Sequence, residues 1–404
     1  MTTALSRIDL GRTVEPVHKG PAIRKLMVSC FRNYKNLKIE LSREPVVLTG
    51  HNGAGKTNLI EALSFLSPGR GLRRARLSDV DMQQIVSQRD CSDLNNKIYN
   101  CWAISAELEL GIDKLVIGTG RDEKAAAIGS DKRVVRVNGY PVKSHSVLSE
   151  YLALSWLTPQ MDRLFVDGVS QRRRFLDRLV FAFDTKHAGR VNAYTHALRE
   201  RGRLIKSGRA DESWYLALET KIAEMGVAII AARCDLIARL APIASLSFGP
   251  FPGVILAISG QVEDWLSSGS ALEAEDRFKD ELILARKNRY SEVNSVPGPH
   301  RSELISFHSL KEIPANQCST GEQKALLVAI LLSHAKLRKI EFGVAPLMLL
   351  DEIAAHLDSE RREALFNILG SLGSQVWMTG TDLSLFSSIK SQAQFFEICD
   401  GKLS

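Results

Sequence analysis

The sequence predicts an α/β fold: a head of mixed β-sheet and helices assembled from both ends of the chain, with a mainly α-helical arm domain inserted between them. Three observations carry this reading. Residues 45–49 and 346–350 are short, almost wholly apolar runs, as expected of strands in a sheet covered on both faces. Each of these runs ends in chemically distinctive text, a glycine-rich segment in one case and an acid pair in the other. Between them, from about residue 172 to 290, apolar residues recur at helical spacing instead.

Taken in order, residues 1–22 are polar and mixed in charge, and are expected to form a flexible extension rather than a signal peptide. Residues 23–31 mix β-branched and apolar side chains, and Leu37, Ile39 and Leu41 alternate with Lys38 and Glu40, both strand patterns. After the strand at 45–49 and the glycine-rich segment, Leu59, Ile60, Leu63 and Leu66 share one face of a helix that Pro68-Gly69 stops. Strands are expected at 102–110 and 114–117. Residues 134–137 and Val142 flank Asn138-Gly139, a type I′ hairpin signal. Residues 23–165 thus form the first part of the head. In the arm, 166–295, the longest helix candidate is 217–240, broken at Pro242, and a strand at 254–258 and a helix at 273–289 follow. Residues 296–404 complete the head, with helices at 322–335 and 361–369 and strands at 346–350, 376–379 and 395–398.

A chain of 404 residues, 45% of them apolar, suits two or three folded domains. Lysine and arginine outnumber the acids 53 to 46, a net +7 that fits an anionic partner such as nucleic acid without requiring one. The six cysteines are scattered with no C-x-x-C pair, against a zinc site or a disulfide framework and in favour of a reducing cytosol. No apolar run reaches the roughly 18–20 residues that span a bilayer. A soluble cytoplasmic protein with no membrane partner is expected.

Gly50-His51-Asn52-Gly53-Ala54-Gly55-Lys56-Thr57 fits G-x-x-x-x-G-K-[ST] between a buried strand and a helix, the context a phosphate-cradling loop requires. The glycines let backbone N–H groups turn inward, the helix N-terminus adds partial positive charge and Lys56 a full one. Thr57 offers its hydroxyl to Mg²⁺. Leu347-Met348-Leu349-Leu350-Asp351-Glu352 delivers two carboxylates at a strand end: Asp351 to hold Mg²⁺ through water, Glu352 to act as general base on the attacking water. ATP and Mg²⁺ are the cofactors implied. Cys318-Ser319-Thr320-Gly321-Glu322-Gln323-Lys324 opens a helix with a second anion-binding cluster. One nucleotide does not need two cradles in cis. Ser319 and Gly321 of one subunit are therefore expected to close on the γ-phosphate held by another, in an ATP-dependent homodimer.

Weaker signals surround these. Asp358 suits either an intersubunit turn or an N-cap, and Gln160, after Thr158-Pro159, suits either a Mg²⁺ or water contact or plain surface. Arg70, Arg73, Arg74 and Arg76 form one basic cluster, and Arg172, Arg173, Arg174 and Arg178 a second. Both are candidates for DNA phosphates, Arg73, Arg74, Arg172 and Arg173 foremost; for the second, a solvated face or salt bridges to Asp177 and Asp162 are the alternatives.

Together these residues resemble the RecF family, within the SMC-like branch of ABC-type P-loop ATPases, from about Ile23 onward. The most specific pieces are Phe31-Arg-Asn-Tyr34, Gly53-Ala-Gly-Lys-Thr-Asn-Leu-Ile-Glu-Ala62, Gln171-Arg-Arg-Arg-Phe-Leu-Asp177, Gly298-Pro-His-Arg301 and Ser319-Thr-Gly-Glu-Gln-Lys324. The resemblance implies slow, DNA-stimulated ATP hydrolysis by a dimer that binds DNA at gaps and single-strand/double-strand junctions. It further implies action with RecO and RecR in loading RecA. Thr379-Gly-Thr381 stands where most ABC ATPases carry a histidine that senses the γ-phosphate, which passes that role to a threonine. A transporter's nucleotide-binding subunit is disfavoured by the long insertion and the missing histidine. An SMC-like tethering ATPase is disfavoured by Pro242, Pro250 and Pro252, which break any long coiled coil. A nuclease of the overcoming-lysogenization class lacks an acidic metal cluster after the core.

Overall fold

A computed structural model describes residues 20–82, 101–111, 113–208, 211–287 and 296–403. Most of the expected extension at 1–22 lies outside the described residues. Strands β1 (Ala22–Phe31), β2 (Tyr34–Glu40) and β3 (Val46–Thr49) lead into helix α1 (Lys56–Ser64). Next come β4 (Ala103–Leu110), β5 (Asp113–Arg121), α2 (Glu123–Ala127), β6 (Arg133–Val137), β7 (Tyr140–Pro141), α3 (Leu148–Tyr151) and β8 (Leu154–Leu157). There follow α4 (Val169–Phe181), α5 (His187–Ser207), α6 (Glu212–Ala244), β9 (Val254–Ser259), α7 (Gln261–Ser268) and α8 (Ala271–Lys287); α4, the C-terminal half of α6 and β9 pack into the core under the parallel sheet. Then follow β10 (Glu303–His308), α9 (Thr320–Phe342), β11 (Leu347–Leu350), α10 (Ser359–Leu372), β12 (Val376–Thr379), β13 (Gln394–Cys399) and β14 (Lys402–Leu403).

The sheet that carries the glycine-rich loop has the order β14-β13-β3-β12-β11-β8, parallel throughout except for the terminal β13–β14 hairpin. Its short apolar strands are buried on both faces. Along β3, Val46 and Leu48 enter one core while Val47 enters the other, and along β11 Leu347 and Leu349 oppose Met348 and Leu350 in the same way. The unbroken apolar runs follow from this, since each face of the pleat has its own hydrophobic layer. α1 covers one side through Leu59, Ile60 and Leu63, and α9 covers the other with a nearly continuous buried stretch from Ala325 to Leu332.

The second sheet is an antiparallel meander, β2-β1-β4-β5-β6-β7, packed on the α1 side. Its last turn has Asn138 at φ 49° and Gly139 at φ 84°, as a type I′ hairpin requires. Phe31, Phe65 and Trp102 meet at centroid distances of 4.7–5.9 Å and join β1, the end of α1 and the residue preceding β4. Arg133 of β6 reaches across and donates to the carbonyls of Phe65, Ser67 and Gly69, so a half-buried cation stabilises the negative end of α1.

α6 does not stop at Pro242. It runs 33 residues to Ala244, with the proline inside its final turn. α5, α6, α7 and α8 share a separate core around Ile222, Ile230, Val262 and Phe278. β9 pairs antiparallel with β10 from Val254↔His308 to Ser259↔Glu303, a pairing the sequence pattern does not reveal, and Val254, Leu256 and Leu304 enter the core under the parallel sheet. No helix among the described residues is long and apolar enough to cross a membrane.

Candidate nucleotide-binding site

The glycine-rich loop leaves the C-terminal end of β3 and closes into α1, with Gly50, Gly53 and Gly55 at φ 138°, 85° and 120°. Two of these positions are sterically closed to any other residue. A Cβ on Gly50 would lie 2.2 Å from the Ile398 carbonyl oxygen, and one on Gly55 would lie 2.5 Å from Asn33 Nδ2. The loop is braced from outside itself. Asn33 Nδ2 donates to Ala54 O (3.0 Å), the Tyr34 hydroxyl donates to Gly55 O (3.0 Å) and Gly401 N donates to Ala54 O (3.0 Å). The turn between β1 and β2 and the C-terminal hairpin therefore form the walls of the loop. In the sequence Phe31-Arg-Asn-Tyr34 stands out only as a family likeness, and Gly401 carries no local signal of this role.

Lys56 bends back over the loop and donates to the carbonyls of Gly50 (2.6 Å) and His51 (2.9 Å). Burial lowers its ammonium below the ordinary lysine value, against the opposing charges of Glu352 and Asp351. Thr57 Oγ1 donates to Asp351 Oδ1 at 3.0 Å, so residues from the two ends of the chain meet as the sequence predicts. Burial raises the Asp351 carboxyl above the usual aspartate range, and the hydroxyls of Thr379 and Thr57 oppose that rise. Glu352 follows with φ 51°, ψ 27°, a left-handed backbone unusual for a glutamate. Its N–H donates to Thr379 Oγ1 (2.8 Å), whose own O–H donates to Asp351 Oδ1 (2.8 Å).

Gln160 is exposed in the 3-10 turn Pro159–Arg163 directly after β8. β8 pairs with β11 in the register Leu157↔Leu350, and Asp351 N donates to Leu157 O (2.9 Å), so Gln160 sits at the same end of the sheet as the acid pair. His51 and Asn52 are exposed at the loop's tip, and Asp358 N-caps α10 by accepting from Arg361 N at 2.8 Å.

Ser319 N-caps α9 in a full capping box: its hydroxyl accepts from Glu322 N, and Glu322 Oε2 accepts from Ser319 N at 2.9 Å. Hydrogen bonds from Lys311 and from Ser319 hold the Glu322 carboxyl down to about 2. Lys324 pairs with Asp162 (3.2 Å), which anchors this helix start to the turn carrying Gln160. Gly321 lies open beside that pair in a groove shared with Val166 and Arg163.

Of the four arginines put foremost for DNA, Arg74 alone is exposed. Arg73 donates to Asn58 Oδ1 (2.7 Å) and to the wholly buried Glu61 (2.9 Å), which it shares with Arg32. Arg172 holds the carbonyls of Phe165 and Asp167 and pairs with Glu303, and Arg173 reaches Ser302 O. The expected alternative partners are corrected too: Asp177 binds Arg233 and His187, and Asp162 binds Lys324. Arg178 lies over the Trp156 ring at 4.5 Å. Arg70, Arg76 and Arg174 remain exposed with Arg74. His300 is internal as well: it stands 2.7 Å from the Tyr194 hydroxyl, and burial lowers it to about 4.

A family model described as RecF/RecN/SMC N terminal domain matches residues 22–401. The DNA replication and repair protein RecF of Mesorhizobium japonicum is 46% identical over 381 residues, 94% of this chain and 96% of that protein. The chain belongs to the RecF family. A protein of the same description from Brucella suis is 44% identical over 95% of this chain and 96% of its own length. Among solved structures, that of the recombination mediator protein RecF-ATP in the RecFOR pathway is similar at TM-score 0.74 and 21% identity, covering 96% of this chain and 99% of that one. The Smc head domain from Pyrococcus furiosus, with an extended coiled coil, is similar at TM-score 0.51 and 17% identity over 95% of each chain. These likenesses identify the fold as an ABC-type ATPase head with an inserted helical arm.

Proposed function

We propose that this chain is a DNA-binding ATPase of recombinational repair and replication restart. It works as an ATP-dependent homodimer with slow, DNA-stimulated turnover at gaps and single-strand/double-strand junctions, and it helps RecO and RecR to load RecA. The observation that carries the reading is the convergence of Lys56, Thr57, Asp351 and Glu352 at the end of one parallel sheet, beside a loop in which Gly50 and Gly55 admit no side chain. The repair role is supported by the relatives described as DNA replication and repair proteins.

The residues present fit ATP and Mg²⁺. Among the described residues Lys56 donates to two carbonyls of the loop itself, neutral acceptors that an anionic phosphate oxygen replaces with an ion pair. The Thr57 hydroxyl and Asp351 carboxylate are hard oxygen donors facing each other at 3.0 Å, the ligand chemistry Mg²⁺ prefers. When bound there, Mg²⁺ supplies positive charge to the outer phosphates. The loop N–H groups and Lys56 orient the triphosphate, and Glu352 accepts the proton of the attacking water. Gln160 orients that water from the neighbouring strand end. Ser319 and Gly321 of a second copy complete the pocket, with Asp358 in the intersubunit turn. Arg74, backed by Arg70 and Arg174, faces DNA phosphates.

Lys56→Ala is expected to lose ATP binding in equilibrium titration, while Glu352→Gln keeps binding, loses hydrolysis and accumulates dimer. ATP binding by Lys56→Ala at the affinity of the unaltered protein would sink the reading.

A further inference from the structure

Thr379 is one of two threonines, with Thr381, at the position where a γ-phosphate sensor is expected, and its side chain is committed elsewhere. It is fully buried at the end of β12. A threonine hydroxyl has one O–H to give and lone pairs to receive with. Here the O–H goes to Asp351 Oδ1 at 2.8 Å, and a lone pair takes the N–H of Glu352 at 2.8 Å. No donor is left for a phosphate oxygen. The second bond fixes a residue whose backbone is in the left-handed region, φ 51° and ψ 27°, a conformation that persists in a non-glycine residue only where its surroundings hold it.

We infer that Thr379 is a positioning residue for hydrolysis: its hydroxyl locks the two acids at the end of β11 to each other, and so sets the direction in which the Glu352 carboxylate leaves the sheet. The geometry separates two tasks that the position in the chain would merge. A sensor distinguishes ATP from ADP, because it touches the phosphate that ADP lacks. A positioning residue acts on the general base and leaves nucleotide discrimination alone. Thr57 donates to the same oxygen of Asp351 at 3.0 Å, so Asp351 keeps a partner without Thr379, whereas the Glu352 N–H loses its partner in this bond.

This inference rests on the ATPase reading above, and the two fail separately. Thr379→Val removes the hydroxyl at nearly constant shape, and Thr379→Ser restores it. In the full-length chain, mant-ATP and mant-ADP affinities and single-turnover hydrolysis are measured for both variants. Thr379→Val is expected to keep the ATP/ADP affinity ratio within about threefold and to lose about 10–100-fold in hydrolysis, part of the 10²–10⁴ that a placed general base supplies. Thr379→Ser recovers most of the rate. In a Glu352→Gln background the valine is expected to cost nothing further. A valine variant that hydrolyses at the parental rate overturns the inference, as does one whose ATP/ADP ratio collapses while bound ATP turns over normally. Should the valine variant fail to fold, Thr379→Cys, which keeps size and weakens both bonds, must show the same split. A parental protein that binds ATP and never hydrolyses it, with or without DNA, sinks the ATPase reading instead.

Discussion

Arg233 offers a sharp test of how the arm is joined to the head. It is 3% exposed, and its guanidinium makes four bonds: to Asp177 Oδ1 (2.9 Å) and Oδ2 (3.0 Å), to Pro299 O (2.7 Å) and to Ser302 Oγ (3.2 Å). These join α6 to α4 and to the loop that carries Gly298-Pro-His-Arg301. Arg233→Met leaves the Asp177 carboxylate buried with only His187 to bond (2.9 Å) and strips Pro299 O of this donor. Breaking a buried ion pair from one side costs about 3–5 kcal/mol, because the survivor stays charged and desolvated. Urea unfolding at pH 7, followed by tryptophan fluorescence, is expected to show a loss near the middle of that range. Asp177→Leu combined with Arg233→Met is expected to recover most of it, since no charge is then stranded. Burial pushes the Asp177 carboxyl up, but the Arg233 charge and the bonds from His187 and Arg233 outweigh it and leave it below the ordinary value. A depressed carboxyl stabilises the fold above its unfolded pKa, and that stability drains as pH falls through the folded value. In Arg233→Met the stranded carboxyl is raised by its burial instead, so the folded variant takes up a proton before the unfolded chain does, and the gap between the two proteins narrows as pH falls from that raised value towards the parent's depressed one. A loss under about 1 kcal/mol at pH 7, or a gap that ignores pH, refutes the reasoning.

Other consequences are smaller or more local. Tyr34→Phe removes the bond to Gly55 O and is expected to cost about 0.5–1.5 kcal/mol in stability, with weaker ATP binding in the same titration. Gly401→Ala places a Cβ 2.4 Å from Asn33 O at φ 75°, a strain of about 1–3 kcal/mol, read as reduced ATP affinity at unchanged circular dichroism. Arg74→Glu and Arg174→Glu are expected to flatten the salt dependence of DNA binding, whereas Arg73→Glu, which puts a second carboxylate against buried Glu61, is expected to show as lost stability in urea. Ser319→Ala breaks the capping box and is expected to cost about 0.5–2 kcal/mol before any effect on dimers.

What the sequence disclosed follows from where the chemistry is local. Residues 50–57 carry their own strand, turn and helix signals, so the loop was legible. The acid pair was legible because four apolar residues before two carboxylates specify a buried strand that ends at the sheet's rim. The walls of the loop were not, since Asn33, Tyr34 and Gly401 act through tertiary contacts from residues far apart in the chain. The arginines were the hardest to sort. Nothing in the run Arg172-Arg-Arg174 tells which guanidinium turns inward to carbonyls and which stays in water, because that depends on what Glu303 and Ser302 bring from over a hundred residues away. Thr379-Gly-Thr381 was legible as a position, but what the Thr379 hydroxyl bonds was not, because its partners are fixed by the parallel register of β11 and β12.

The most direct test of the account weighs Glu352→Gln protein by light scattering in saturating ATP, alone and with gapped DNA. Twice the mass of the chain is expected, falling back to a single chain when Ser319→Arg is added. A mass that stays at one chain with nucleotide and DNA both present, or a Ser319→Arg protein that pairs as readily as its parent, contradicts the shared site.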